Sequence, residues 1–195
     1  MSDDIIELQE TVIGHVEFSD FVVVSDPCYD RGTWCGEFGL EIKPGRYEGR
    51  ALHGHLANWP AWGERVHRLS AVRVDERIDR WVFCTNLGVD AGTMSIYDDQ
   101  HYDAKGDEWM GAPQYQKHEH GFVSSSGLGD GTYPLYHALN DKDEIVGYSV
   151  VFLIPDWAIE PLVDVEDKTY DMSDDSLTVF AGGPASVFLK TEEEE

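Results

Sequence analysis

The chain has 195 residues, 42% hydrophobic and 12% aromatic, enough to bury a substantial core in one domain without disulfide or metal staples. Thirty-eight acidic against 14 basic residues give a formal net charge of −24, and −20 remains when the terminal Glu192–Glu195 are set aside. That charge repels nucleic-acid phosphates and anionic membranes, so direct nucleic-acid binding is not expected, and no apolar run approaches the ~20 residues a membrane span requires.

The opening segment, MSDDIIELQE, lacks the basic region and apolar core of a signal peptide, which points to a cytoplasmic protein. We expect one domain over residues 1–191 and an acidic tail over 192–195. Residues 11–30, TVIGHVEFSDFVVVSDPCYD, read as strand, broken at Ser19-Asp20 and closed at Asp26-Pro27. RGTWCGEFGLEIKPGRYEGRAL carries glycine at 32, 36, 39, 45 and 49 and predicts short strands with tight loops. Residues 68–90 alternate apolar and polar side chains and then become continuously apolar at WVFC; GTMSIYDD follows as another strand. TYPLYHAL and EIVGYSVVFLI flank NDKDE as a hairpin, and SLTVFAGGPASVFL repeats the habit around Gly182-Gly183-Pro184. The only helix candidates are short, NWPAWGERVHRL and DWAIEPLVDV. The fold class is therefore mostly β, a single-domain antiparallel sandwich or partly closed barrel with one or two short helices.

Cys28, Cys35 and Cys84 are odd in number and irregular in spacing, with no Cys-x-x-Cys pair, and are expected as free, packed thiols.

SDPCYD (25–30), GVDAGTMSIYD (88–98) and GFVSSSGLGDGTYPLYHALNDKDEIVGYSVVF (121–152) together resemble a group of uncharacterised bacterial and phage proteins, the DUF4241-like domains of unknown function. In that group a strand reading Val-Asp-small-Gly-x-Met precedes a hairpin whose Ser-rich first strand runs into Gly-x-Gly-Asp-Gly-x-Tyr. The match covers about a third of the chain. It implies a mostly-β cytosolic domain and brings no known activity, so no catalytic residue is carried over.

SSSGLGDG, from Ser124 to Gly131, raises the question of a phosphate cradle. A phosphate-binding loop needs Gly-Lys-Ser/Thr leading into a helix, and a dinucleotide fingerprint also needs a helix after its glycines. Here no lysine follows the glycines, and Pro134 with an alternating strand pattern comes next. A nucleophile elbow reads Gly-x-Ser-x-Gly, which Ser126-Gly127 does not match. Gly127, Gly129 and Gly131 suit a turn needing positive φ, with Asp130 bonding nearby amides. The alternative is a ligand loop, in which Ser124, Ser125, Ser126, Gly127, Gly129 and Asp130, with Asp90 and Asp26, contact a small anionic ligand such as a nucleotide signal. Arg46, Arg50 and Lys117 would be its charge partners.

His53 and His55, and His118 and His120, form two His-x-His pairs. On strands, each pair would share a face, and two such pairs could bind zinc or another divalent metal in a hydrolase with Asp90 or Asp130. Exposed positions and the absence of any sign that the pairs meet favour no metal and no other cofactor. Asp26, Asp90, Asp98 and Asp130 read as turn carboxylates accepting hydrogen bonds from turn amides or a neighbouring hydroxyl. Trp81 reads as core, and Trp59 and Trp62 as loop packing with the option of a partner anchor.

The expected function is that of a non-enzymatic acidic protein binding a basic protein partner. The resemblance to phage and bacterial accessory proteins suggests an inhibitor of a defence or nucleic-acid enzyme. The anionic-ligand protein and the metal-dependent hydrolase are the alternatives.

Overall fold

The computed structural model describes residues 5–35, 39–56, 60–103 and 114–153. The expected hairpin around Gly182, the helix candidate at 156–165, the acidic tail, and Trp59, Trp109 and Trp157 lie outside the described residues. Within them the strands are β1 (Ile5–Phe18), β2 (Phe21–Ser25), β3 (Gly39–Glu41), β4 (Gly45–Leu56), β5 (Glu64–Arg73), β6 (Arg80–Val89), β7 (Thr93–Asp98), β8 (Tyr115–Lys117), β9 (Gly121–Ser125), β10 (Gly131–Leu139) and β11 (Ile145–Val151).

They form two antiparallel sheets that do not close into a barrel. One has the order β1-β4-β5-β11-β10-β6 and the other β3-β2-β7-β9-β8. The break at Ser19-Asp20 is where the chain changes sheet: β1 pairs with β4, while β2 pairs with β3 and β7. The mostly-β sandwich expected from the sequence is the fold. No helix among the described residues is long and apolar enough to cross a membrane.

Alternation places Val16 and Phe18 of β1, Tyr47 of β4, Leu69 of β5, Ile96 of β7, Phe122 of β9 and Tyr148 of β11 in one core between the sheets. Each large side chain taken fully out of water contributes about 1.5–3 kcal/mol. The sheets approach closely at Gly49, where a Cβ would run into the Phe122 ring. Phe122 in turn meets Phe18 edge to face, with ring centroids 6.1 Å apart.

Two expectations change. The described part of NWPAWGERVHRL, residues 60–69, is not a helix: Pro60–Trp62 makes a single 3-10 turn, Gly63 at φ 69° ends it, and Glu64 already begins β5. β5 lies between β4 and β11, so ladder pairing on both edges and burial of Val66, Leu69 and Ala71 override the local helical preference. The glycine-rich stretch does hold tight turns and the short strand β3, but from Gly45 onward it is not short strands, because β4 runs unbroken through twelve residues.

The hairpin loop between β10 and β11 is organised by Asn140. Its Oδ1 accepts the amides of Lys142 and Glu144 at 3.0 and 2.9 Å, and Asp143 adopts φ 62°. Cys35 is buried, Cys28 and Cys84 are half-buried, and all three are free thiols.

Candidate functional site at the loop end of the sandwich

β2, β7 and β9 are neighbours in one sheet, so three of their connections meet at the same end: the turn after β2, the β6–β7 turn, and the β9–β10 loop. Asp26 is fully buried there. Its Oδ2 accepts the backbone amides of Asp90 at 3.0 Å and Ala91 at 2.7 Å, and its Oδ1 accepts that of Cys28 at 3.1 Å. The Tyr102 hydroxyl accepts from Ser25 Oγ at 3.0 Å and donates to the Tyr29 carbonyl at 3.1 Å. The three segments singled out from the sequence therefore converge in space, bound to one another by their own hydrogen bonds.

The glycine loop is a tight turn. The Ser126 amide donates to the Gly92 carbonyl at 2.9 Å, and Gly129 closes the turn back onto the Ser126 carbonyl at 2.9 Å. Ser126 Oγ donates to the Gly129 carbonyl at 2.7 Å, and the Tyr133 hydroxyl lies 2.7 Å from that same oxygen. Gly127 and Gly129 take φ of 59° and 112°, conformations that side chains disfavour. A Cβ at Gly127 would also stand 2.9 Å from Phe152 Cβ. Ser126 is thus spent inside the loop. Ser124 and Ser125 sit on β9, and their buried hydroxyls have no hydrogen-bond partner among the described residues. The cations considered for an anionic ligand lie elsewhere. Arg50 pairs with Glu48 and Glu10, Lys117 lies against Gly14, and Arg46 lines a groove of about 450 Å³ with His15, Glu17, Glu119 and His120.

The outer surface of this end carries exposed carboxylates beside apolar side chains. Asp30, Asp90 and Asp130 are exposed. Trp34 is 67% exposed and rests its ring on Gly88, where a Cβ would collide with it; Leu128 is 39% exposed. The Tyr29 hydroxyl donates to Asp90 Oδ2 at 2.5 Å, and that hydrogen bond to a carboxylate holds the phenol up at about 12. Asp130 approaches the same turn, its Oδ1 4.0 Å from where a Gly92 Cβ would stand. Arg31, in the turn that follows β2, is held by Asp99 at 3.0 Å.

The two His-x-His pairs are placed apart. His53 is buried on β4, with Nδ1 on a Glu64 carboxylate oxygen and Nε2 2.8 Å from Thr11 Oγ1, whereas His55 is exposed. His118 and His120 lie in the β8–β9 turn rather than on a strand. His120 stacks on His101 with ring centroids 3.7 Å apart and planes 9° from parallel, and His101 Nδ1 is 2.9 Å from Asp98 Oδ1. Among the described residues no group of three or more His, Cys, Asp or Glu is arranged to hold a metal.

Thr11, Glu64 and Tyr115 around His53, and the His101–His120 stack, are groupings that sequence reasoning missed. Their members are brought together by strand pairing across long separations, and no local spacing announces them. Nothing local in the sequence announces the exposure of Trp34. Comparison with protein-family models, curated proteins and solved structures finds no match for the chain.

Proposed function

We propose that this is an acidic binding protein whose loop end receives a basic protein partner. The observation that carries this reading is the placement of Trp34 and Leu128, both exposed, among the carboxylates Asp30, Asp90 and Asp130. An exposed tryptophan is the side chain most favoured as an interface anchor, and its face attracts lysine and arginine. Elsewhere Lys43, Arg50, Arg68, Arg73 and Arg80 are paired with carboxylates of this chain, so the exposed acids dominate the field a partner meets. Membership of the DUF4241-like group is part of this proposal, as is its concrete form, an inhibitor occupying the basic groove of a nucleic-acid or defence enzyme.

The test is capture of partners at low salt, followed by titration of the captured protein at rising ionic strength. Affinity should fall steeply with salt. The combined Asp30→Asn, Asp90→Asn and Asp130→Asn variant should bind at least about tenfold more weakly, and Trp34→Ala similarly, a loss of about 1.4 kcal/mol each. Affinity that is indifferent both to salt and to these substitutions removes the reading.

A further inference from the structure

Thr11, His53 and Glu64 come from β1, β4 and β5, the first pair 42 positions apart in sequence and the second 11. Their side chains make one continuous chain. Thr11 Oγ1 lies 2.8 Å from His53 Nε2, and His53 Nδ1 meets a Glu64 carboxylate oxygen. Because a carboxylate only accepts, Nδ1 carries the ring proton, and Nε2 turns its lone pair towards the Thr11 hydroxyl, which donates. The Tyr115 hydroxyl stands 3.3 Å from the same Nε2, and its ring lies against the imidazole with centroids 5.0 Å apart. His53 is 4% exposed, while the Glu64 side chain is 43% exposed. A hydroxyl on an imidazole that a carboxylate orients is the arrangement that activates an alcohol as a nucleophile, on whatever fold it occurs.

A packed histidine also needs a partner on each nitrogen, so the relay alone fits a satisfied core residue. Two neighbours go beyond that need. Gln114 donates its side-chain amide to the Glu64 carbonyl, and its buried Oε1 has no hydrogen-bond partner among the described residues. Ser124, 1% exposed, also has an unpartnered Oγ, and it is the register partner of Tyr115 across β8 and β9, on the same face of that sheet. A buried unpaired polar group costs about 1–3 kcal/mol. Two such groups beside one relay are polar atoms left over once the histidine is satisfied.

We propose that Thr11 is a nucleophile towards small carboxylic esters, with His53 as its general base, Glu64 as the positioning residue, and Tyr115 as the donor to the developing oxyanion. The inference goes beyond the binding reading and is independent of the loop end. Thr11 Oγ bonds to the carbonyl carbon while its proton passes to His53 Nε2. Collapse of the adduct breaks the bond to the leaving alcohol, which departs with that proton. Water, deprotonated by the same nitrogen, then cleaves the Thr11 ester, releasing the carboxylic acid and restoring the hydroxyl. The site lies along the side of the sandwich bounded by the edge strands β1 and β8, which approach closely at Gly14 and Lys117; a small acyl group is the substrate proposed because the surroundings are tight.

The experiment uses the full chain with p-nitrophenyl acetate, following p-nitrophenol release and mapping the acetyl group by peptide mass after acid quench. The expected result is acetyl on Thr11, lost in Thr11→Val and retained in Thr11→Ser. Removing the base in His53→Gln should slow the reaction by about 100-fold or more. Glu64→Gln should slow it and Glu64→Asp restore most of it, which a purely structural role for Glu64 would not do. Thermal unfolding of each variant accompanies the rates. If His53→Gln does not fold, Thr11→Val decides, because it leaves the His53–Glu64 pair in place. A rate in the native protein equal to that of Thr11→Val, or acetyl found only on lysines, overturns the proposal.

Discussion

Asp26 Oδ2 lies 2.7 Å from the backbone amide of Ala91, 65 residues further along the chain, and this contact ties the end of β2 to the β6–β7 turn. With the amides of Asp90 and Cys28, one buried carboxylate satisfies three donors from two loops. An amide at this position offers one oxygen and sets an N–H₂ against donors. Asp26→Asn is therefore expected to cost about 3 kcal/mol, given that hydrogen bonds to charged groups contribute about 1.5–3 kcal/mol each. Urea unfolding checks it; a loss below about 1 kcal/mol would show that the three amides find other partners.

Asp98 makes a pH-dependent contribution. Burial pushes its carboxyl up, but the Ser19 amide at 2.6 Å, the His101 ring and the Gln100 amide together pull it below the ordinary carboxylate range. A depressed folded-state pKa contributes stability that is fully present above the unfolded value of about 3.9 and is lost as pH falls through the folded one. Asp98→Asn should be less stable than the native protein at neutral pH, and the gap should close as pH falls below about 4. Denaturant titrations at neutral and acid pH measure it, and a gap independent of pH contradicts the assignment.

His67 acts in a higher pH window. It is fully buried, and that burial lowers its pKa even though Nδ1 hydrogen-bonds the Leu153 carbonyl at 2.7 Å and the Gly54 carbonyl stands 3.4 Å from Nε2. The native state holds it neutral, so stability is complete above the unfolded value of about 6.5 and declines as pH drops below it. His118 and His137 are lowered by burial in the same sense. His67→Gln should lose stability at neutral pH and show a shallower decline between pH 7 and about 5, read from the same titrations.

Gly49 sits beneath the Phe122 ring with no room for a Cβ. Gly49→Ala should destabilise by about 1–3 kcal/mol, the usual cost of overpacking a core. Combining it with Phe122→Leu should recover part of that loss, and simple additivity of the two would show that the sheets do not meet here.

How much was legible varies from residue to residue. The Val-rich run ending at Ser25 and the hairpin around Asn140 were readable because alternation and turn chemistry are local. The helical reading of Glu64–Leu69 failed because its strand form is imposed by ladders on both sides, which no window of sequence contains. Asp26, Asp90 and the Ser126 loop were correctly picked out as turn residues, but their joining at one end follows from the adjacency of β2, β7 and β9.

The amino-acid sequence by itself determined the class of the molecule. Period-two apolar patterning with frequent glycine turns commits the chain to antiparallel sheets, and 38 acidic residues set the sign of its surface whatever the topology. Only the tertiary structure decided which side chains meet. Side-chain pairing in a sandwich depends on strand order and register, and a one-residue shift in register reverses every face. That is why Thr11 reaches His53, 42 positions further along the chain.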